Sequence, residues 1–213
     1  MNRNYQKELE QVLLTNEKEN RCPTLLLHSC CAPCSSYVIE YLSNYFSITV
    51  FYYNPNIDPP QEFLHRMEEE RLFIEKFPAK HPVSMIEAAY DPKEFYAAVK
   101  GLEHIPEGGK RCEACFRLRL GKTACVAAME HFDYFTTTLT ISPLKNAALL
   151  NEIGEEMGSQ YHVSFLNSDF KKKNGYRRSV ELSAQYGLYR QDYCGCVFSK
   201  KERELQKAQK RQN

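Results

Sequence analysis

Nine cysteines stand in this chain of 213 residues, and seven of them fall into three short groups. The groups are Cys30-Cys31-Ala-Pro-Cys34, Cys112-Glu-Ala-Cys115 and Cys194-Gly-Cys196. Long stretches separate them, so any chemistry they share requires a fold that brings distant segments to one place. What those thiols can do depends on the compartment. The segment Met1-Asn-Arg-Asn-Tyr-Gln-Lys-Glu-Leu-Glu has no apolar stretch of the secretory kind. No apolar run approaches the roughly 20 residues of a membrane span. The expectation is a cytoplasmic protein, with no membrane partner. In a reducing compartment clustered thiols point to metal ligation or redox chemistry rather than to structural disulfides. Hydrophobic residues at 43% and charged residues at 26% exclude a disordered or collagen-like chain.

The hydrophobic pattern alternates between strand and helix. Residues 3–17 read as a charged amphipathic helix, expected as an N-terminal extension over 1–20 of a single domain. Thr24-Leu-Leu-Leu-His-Ser29 is a short apolar run that suits a buried strand. The first cysteine group lies in the turn before a helix over about 35–45. Ser47–Tyr53 is a second strand, and the loop Asn54–Pro60 leads to a long charged helix ending near Phe77. Val83–Ile86 is a third strand, and Asp91 can cap a helix running to about Lys100. The loop 101–110 enters a helix that carries Cys112 and Cys115 and runs to about His131. Tyr134–Thr138 is a strand, Lys145–Gly158 a helix and His162–Leu166 a strand. A helix over 176–186 precedes the third cysteine group, and a basic C-terminal helix over 199–213 follows a catalytic core over 24–198. Five strands alternating with helices imply an α/β fold, a parallel sheet covered on both faces. In such sheets function gathers at the carboxyl ends of the strands, where the first cysteine group, Asn54-Pro55-Asn56 and Leu139–Lys145 all fall.

A Cys-x-x-Cys pair can set two thiolates on one metal or cluster. One pair alone is weak, but two pairs with an additional Cys-x-Cys form a stronger pattern. Four thiolates fit tetrahedral zinc or a [4Fe–4S] cluster. Structural zinc knuckles pair within short hairpins, whereas these pairs stand at separate strand–helix junctions, which favours iron–sulfur. Cys194 and Cys196 suit a small disulfide, a second metal, or a dithiol that carries two electrons. Isolated Cys22 and Cys125 read as small apolar side chains.

Five stretches complete the picture: His28-Ser-Cys-Cys-Ala-Pro-Cys34, Tyr53-Asn-Pro-Asn-Ile57, Arg111-Cys-Glu-Ala-Cys115, Thr136–Leu139 with Ser142–Asn146, and Tyr189-Arg-Gln-Asp-Tyr-Cys-Gly-Cys-Val-Phe-Ser199. With these the chain resembles the QueH-type epoxyqueuosine reductases from about Thr24 to Arg203. The resemblance implies a HUP-like fold, similar to adenine-nucleotide α-hydrolase-like domains. It also implies cobalamin-independent reduction of epoxyqueuosine to queuosine at the wobble base of tRNA, the last step of queuosine biosynthesis. It further implies a [4Fe–4S] cluster, carried onto Cys30, Cys31, Cys112 and Cys115. Cys194 and Cys196 match the family's second thiol pair, a redox-active disulfide or ligands to a second, mononuclear metal ion, iron or zinc. Some members carry Asp where this chain has Cys34, so a thiolate here replaces a carboxylate able to ligate iron. The partners implied are tRNA carrying epoxyqueuosine and an electron donor whose identity leaves no trace in the sequence.

Removing an epoxide oxygen takes two electrons and two protons and releases water. Asp192 and Tyr193, beside the last cysteine group, are candidate proton donors. For the tRNA, Lys171, Lys172, Lys173, Arg177 and Arg178 put five basic residues in eight around Tyr176, a local phosphate-binding candidate. Lys200, Lys201, Arg203, Lys207, Lys210 and Arg211 add charge to the C-terminal helix. Lys145 and Asn146 open a helix after a strand, a geometry able to hold a phosphate. Tyr52, Tyr53 and Tyr176 can stack an extruded base, although packing explains them as well. Globally the charge is only +1, so no field of the whole molecule steers RNA. Two other readings compete. Another cluster-dependent tRNA-modifying enzyme, such as a sulfur transferase, would show a Ser-Gly-Gly-x-Asp-Ser loop where this chain has Ser-Cys-Cys-Ala-Pro-Cys. A zinc-stabilised RNA-binding protein would be colourless and take up no electrons.

Overall fold

Leu25, Leu26 and Leu27 are completely buried, and they set the centre of the molecule. Successive strand residues face opposite ways. Accordingly Leu25 and Leu27 join one apolar cluster with Val38, Ile39 and Phe73, while Leu26 joins another with Leu120, Phe135 and Leu150. A sheet with an apolar cluster on each face must be covered on both sides, as the alternating pattern predicts. The computed structural model describes residues 3–212, with side chains through Lys210, so the Arg211 side chain named above lies outside the described part.

The strands are β1 (Thr24–His28), β2 (Ser47–Tyr52), β3 (Val83–Glu87), β4 (Tyr134–Thr137) and β5 (Ser164–Phe165). They form one sheet in the order β3-β2-β1-β4-β5, every pair parallel. The chain builds outward from β1 to one side and then crosses to β4 on the other, so the switch of direction lies between β1 and β4. His28 stands opposite Phe51 on β2 and Thr137 on β4, which brings three strand ends to one level.

The helices are α1 (Tyr5–Lys18), α2 (Ala32–Leu42), α3 (Pro60–Lys76), α4 (Pro92–Ala98), α5 (Lys110–Met129), α6 (Ala147–Tyr161), α7 (Gly175–Tyr186) and α8 (Val197–Gln212). None is long and apolar enough to cross a membrane. α1 does more than extend the chain: Leu9 and Leu13 are buried in the cluster that holds Leu25 and Leu27. α2 starts three residues earlier than expected, because Pro33 sits in its first turn, where a missing N–H costs nothing. The loop after β4 winds into a 3-10 turn over Thr138–Ile141. α6 begins at Ala147 rather than Lys145, since Asn146 Oδ1 accepts the Leu149 amide at 3.2 Å and marks the cap. The fifth strand shrinks to two residues because His162 closes α6 in the left-handed region, at φ +57°, where no strand can start. Cys22 is exposed and not the small core residue expected.

Candidate metal and redox site

The first sulfur group follows from the way β1 hands over to α2. Cys31 is extended and caps the helix, and the Cys34 amide returns to the Cys31 carbonyl at 3.0 Å. That turn gathers Cys30, Cys31 and Cys34, whose sulfurs all lie within 4.8 Å of one another. Cys30 and Cys31 are 3.8 Å apart, sulfur to sulfur. Hydrogen bonds from the Cys31 and Cys34 thiols draw the Cys30 thiol well below its ordinary value, with the charges of Arg119 and Lys145 adding to the effect. Cys31 is correspondingly held protonated by its bond to Cys30.

Cys112 and Cys115 lie three residues apart on α5, hence on one face. They line a small cavity together with Cys194, Cys196, Phe95 and Arg111. The Gly108 amide donates to Cys112 Sγ at 3.3 Å, and the Ser199 amide to Cys196 Sγ at 3.4 Å. Burial pushes the Cys115 thiol up to about 12 and raises Cys112 and Cys196 as well. All nine cysteines are free thiols. Gly195 makes the Cys-x-Cys turn possible. Its φ is +115°, and a Cβ there would stand 3.0 Å from Arg66 Nη1 and 3.1 Å from Ile57 Cγ1. Its carbonyl accepts the Asp58 amide at 2.9 Å, so the turn is tied to the loop before α3. Arg66, fully buried, forms an ion pair with Glu62 at 2.7 Å beneath it.

Thiols of more than one group act on two cations, Lys145 and Arg119. Lys145 senses Cys194, Cys30 and Cys34; burial opposes its charge, but these thiols outweigh it and hold the ammonium ionised. Arg119 senses Cys115, Cys30 and Cys194. The donor atoms of both groups are sulfur alone, a soft set suited to iron–sulfur or zinc rather than to magnesium or calcium. Cations buried against sulfur fit a thiolate-bound centre, which is anionic.

The model of the family described as "Epoxyqueuosine reductase QueH" matches residues 25–202, which holds all three cysteine groups. The chain belongs to the epoxyqueuosine reductase QueH family. A QueH of Streptococcus pyogenes is 47% identical over 93% of this chain and 78% of its own length. That of Staphylococcus epidermidis is 46% identical over 92% and 84%, and that of Thermotoga maritima 37% identical over 84% and 92%. Among solved structures, a chain described as a predicted subunit of tRNA methyltransferase from Methanocaldococcus jannaschii covers 75% of each chain at TM-score 0.46 and 13% identity, a likeness too slight to bear on function.

Within this QueH fold the other expected residues divide sharply. Asp192 is exposed and ion-paired with Lys207 at 2.8 Å and Arg203 at 3.1 Å. Hydrogen bonds from Lys207 and Arg203 hold its carboxyl below the usual range, which suits anchoring α8 and not releasing a proton. Tyr193 lies under the Arg66 guanidinium, 5.4 Å from its ring centroid. The basic segment is largely paired with carboxylates of the same chain. Lys171 pairs with Asp169 at 2.8 Å, Lys173 with Glu10, Arg177 with Glu181 at 3.1 Å and Arg178 with Glu40 at 2.6 Å. Lys172 is the member of the five without an ion pair among the described residues. Tyr176 is exposed, with Arg190 5.7 Å from its ring. Tyr52 and Tyr53 are buried, their hydroxyls donating to the Phe63 carbonyl at 3.0 Å and to Glu94 at 2.6 Å, so they are packing residues. Sequence reasoning missed Arg119, Arg66, Glu70 and the role of His28. For Arg119 a signal existed: it stands one helical turn after Cys115.

Proposed function

We propose that this protein reduces the epoxide of epoxyqueuosine in tRNA to give queuosine, using the thiols gathered at the carboxyl edge of the sheet. The observation that carries the reading is that the sulfur groups, from three separate chain segments, meet where Cys112 packs against the buried cluster of Cys30 and Cys31, in a chain of the epoxyqueuosine reductase QueH family. Loss of the epoxide oxygen requires two electrons and two protons, with both C–O bonds broken, a C=C bond formed and water released. Oxidation of the Cys194 and Cys196 thiols to a disulfide supplies both electrons and both protons, and an external donor then returns the pair to the dithiol. A [4Fe–4S] cluster on Cys30, Cys31, Cys112 and Cys115 would relay the external donor's electrons to the oxidised pair one at a time. Lys145 holds positive charge where the departing oxygen becomes alkoxide, a stabilisation strongest at a buried site. The Tyr193 phenol is the remaining proton donor candidate near the pair, since Asp192 is tied up in ion pairs.

The closeness of Cys34 to Cys30 and Cys31 favours a second arrangement, in which these three sulfurs hold one metal. Cys112, Cys115, Cys194 and Cys196 then hold another, iron or zinc. Iron and sulfide analysis of anaerobically purified protein separates the two. The first arrangement gives about four irons and four sulfides, unchanged in Cys194→Ser and Cys34→Ser. In the second arrangement the metal content falls in both variants. The same samples are assayed by mass spectrometry for conversion of epoxyqueuosine in tRNA with dithionite as donor. Turnover by the wild-type protein and its loss in Cys194→Ser is the expected result. Colourless, zinc-loaded protein that binds tRNA without turnover overturns the reading.

A further inference from the structure

Three arginines are buried near the sulfurs, and one of them differs from the others. Arg66 has Glu62 and Arg111 has Glu202, each at 2.7 Å. Arg119 is only 1% exposed and has no carboxylate partner among the described residues. Taking a guanidinium out of water is unfavourable unless charge and hydrogen bonds compensate. Its hydrogen bonds go to two neutral side chains. Nε donates to His28 Nε2 at 3.2 Å, and Nη2 donates to Asn54 Oδ1 at 2.6 Å. His28 Nε2 also lies 3.2 Å from the Tyr53 carbonyl, and its Nδ1 stands 2.8 Å from Thr137 Oγ1. Asn54 in turn donates to the Ser29 carbonyl at 2.8 Å.

These bonds follow one line through the fold. Cys115 and Arg119 are four residues apart on α5 and share a face. From that face the guanidinium reaches His28, two residues before Cys30 at the end of β1, and Asn54, just beyond the end of β2. Through His28 it also reaches Thr137, at the end of β4. We propose that Arg119 is the positioning residue of the redox site, bolting the helix of Cys112 and Cys115 to the strand ends that carry Cys30 and Cys31 and standing as counter-ion to the sulfurs of both. The charge that no carboxylate supplies falls to the sulfur-lined side of that face, where Cys115 stands one turn before Arg119. A fixed cation beside a centre that gains an electron favours the reduced form. This inference rests on the reading that both sulfur groups serve one reaction.

Arg119→Gln and Arg119→Lys test it with two readouts. In reconstituted protein, spectroelectrochemistry gives the ratio of reduced to oxidised centre at a fixed potential. Arg119→Gln lowers that ratio about tenfold, about 59 mV for one electron. Arg119→Lys restores it to within about threefold of wild type, because the charge is kept. Hydrogen exchange on the metal-free proteins reads the bolt independently of any centre. In both variants the amides of 28–34 and 110–119 exchange about tenfold faster or more, since neither side chain can span His28 and Asn54. Wild-type exchange in both variants overturns the positioning role, and an unshifted ratio in Arg119→Gln overturns the counter-ion role. If wild-type protein forms no reducible centre, the reading of the site fails. Hydrogen exchange alone then decides the place of Arg119.

Discussion

Glu70 on α3 is completely buried, with Oε2 accepting the Ser29 hydroxyl at 3.1 Å and Oε1 left without a partner. Burial pushes its carboxyl up to about 8, and the charge on Cys30 adds to the rise. A carboxyl raised in the folded state binds its proton where the unfolded chain has released it. Folding is therefore favoured below the ordinary carboxylate range and weakens as pH climbs toward 8. Glu70→Gln removes that dependence. Between pH 5 and pH 9 the stability gap in favour of the variant should widen by on the order of a few kcal/mol, read from urea midpoints. A constant gap would mean that Glu70 is ionised inside the fold at both pH values. Gly195 carries a second prediction at this scale. A methyl group there meets Arg66 and Ile57 and forces an unfavourable φ, a strain of about 1–3 kcal/mol. That strain is confined to the turn between Cys194 and Cys196. Gly195→Ala should cut turnover about tenfold or more, as a small misplacement of reacting groups does, while the thermal midpoint of the sheet moves little. Equal loss of stability and activity would show the turn to be part of the core instead.

Among the elements, α8 decides where Cys196 stands, because the helix begins at Val197, one residue later. Two contacts fix it. Asp192 pairs with Arg203 and Lys207 on the surface, which contributes little in water. Glu202 accepts from Arg111 at 2.7 Å and from the Glu107 amide at 3.1 Å, and Arg111 also stacks on Phe198, 4.7 Å from its ring. Arg111 is 3% exposed, so removing its carboxylate leaves a buried cation with backbone carbonyls alone. Glu202→Gln should cost about 1–3 kcal/mol, less than a fully buried pair because Glu202 itself is partly solvated. Limited proteolysis should then cut first between 190 and 198. Unchanged cleavage would place the hold on α8 in its apolar face. This scale also shows what the chain discloses in one dimension. The strands, the helix order and the strand-end position of the first cysteine group were legible, because alternation and caps are local signals. Arg119 with His28, Arg66 with the Cys194 carbonyl and Arg111 with Glu202 were not, since their partners lie 91, 128 and 91 residues away.

Over the whole molecule, charge bears on how tRNA is held. Lys and Arg number 28 against 27 Asp and Glu, so attraction must come from cations left free of carboxylates. The stretch from Lys171 to Arg178, read alone, is a dense phosphate-binding segment. In the fold four of its five cations already have anionic partners. Asp169 and Glu181 are local in sequence, but Glu10 and Glu40 come from α1 and α2, far upstream, so the sequence could not reveal half of this pairing. A phosphate approaching the segment must displace a carboxylate, so few counterions are released on binding. Lys145 differs, since the neighbouring thiols raise its pKa against burial, and in the proposed reaction it acts at the reacting base alone. These features predict a shallow salt dependence. With about two phosphate contacts the slope of log affinity against log salt is near −1.5, which costs about tenfold or less between 50 and 200 mM. Lys172→Ala should weaken binding with kcat unchanged, whereas Lys145→Ala should lower kcat more than it raises KM. Filter binding across a salt series, with steady-state kinetics of both variants, checks the whole account. A slope near −6 would mean that the ion pairs of 171–178 open onto the RNA, and that this segment is the tRNA's principal footing.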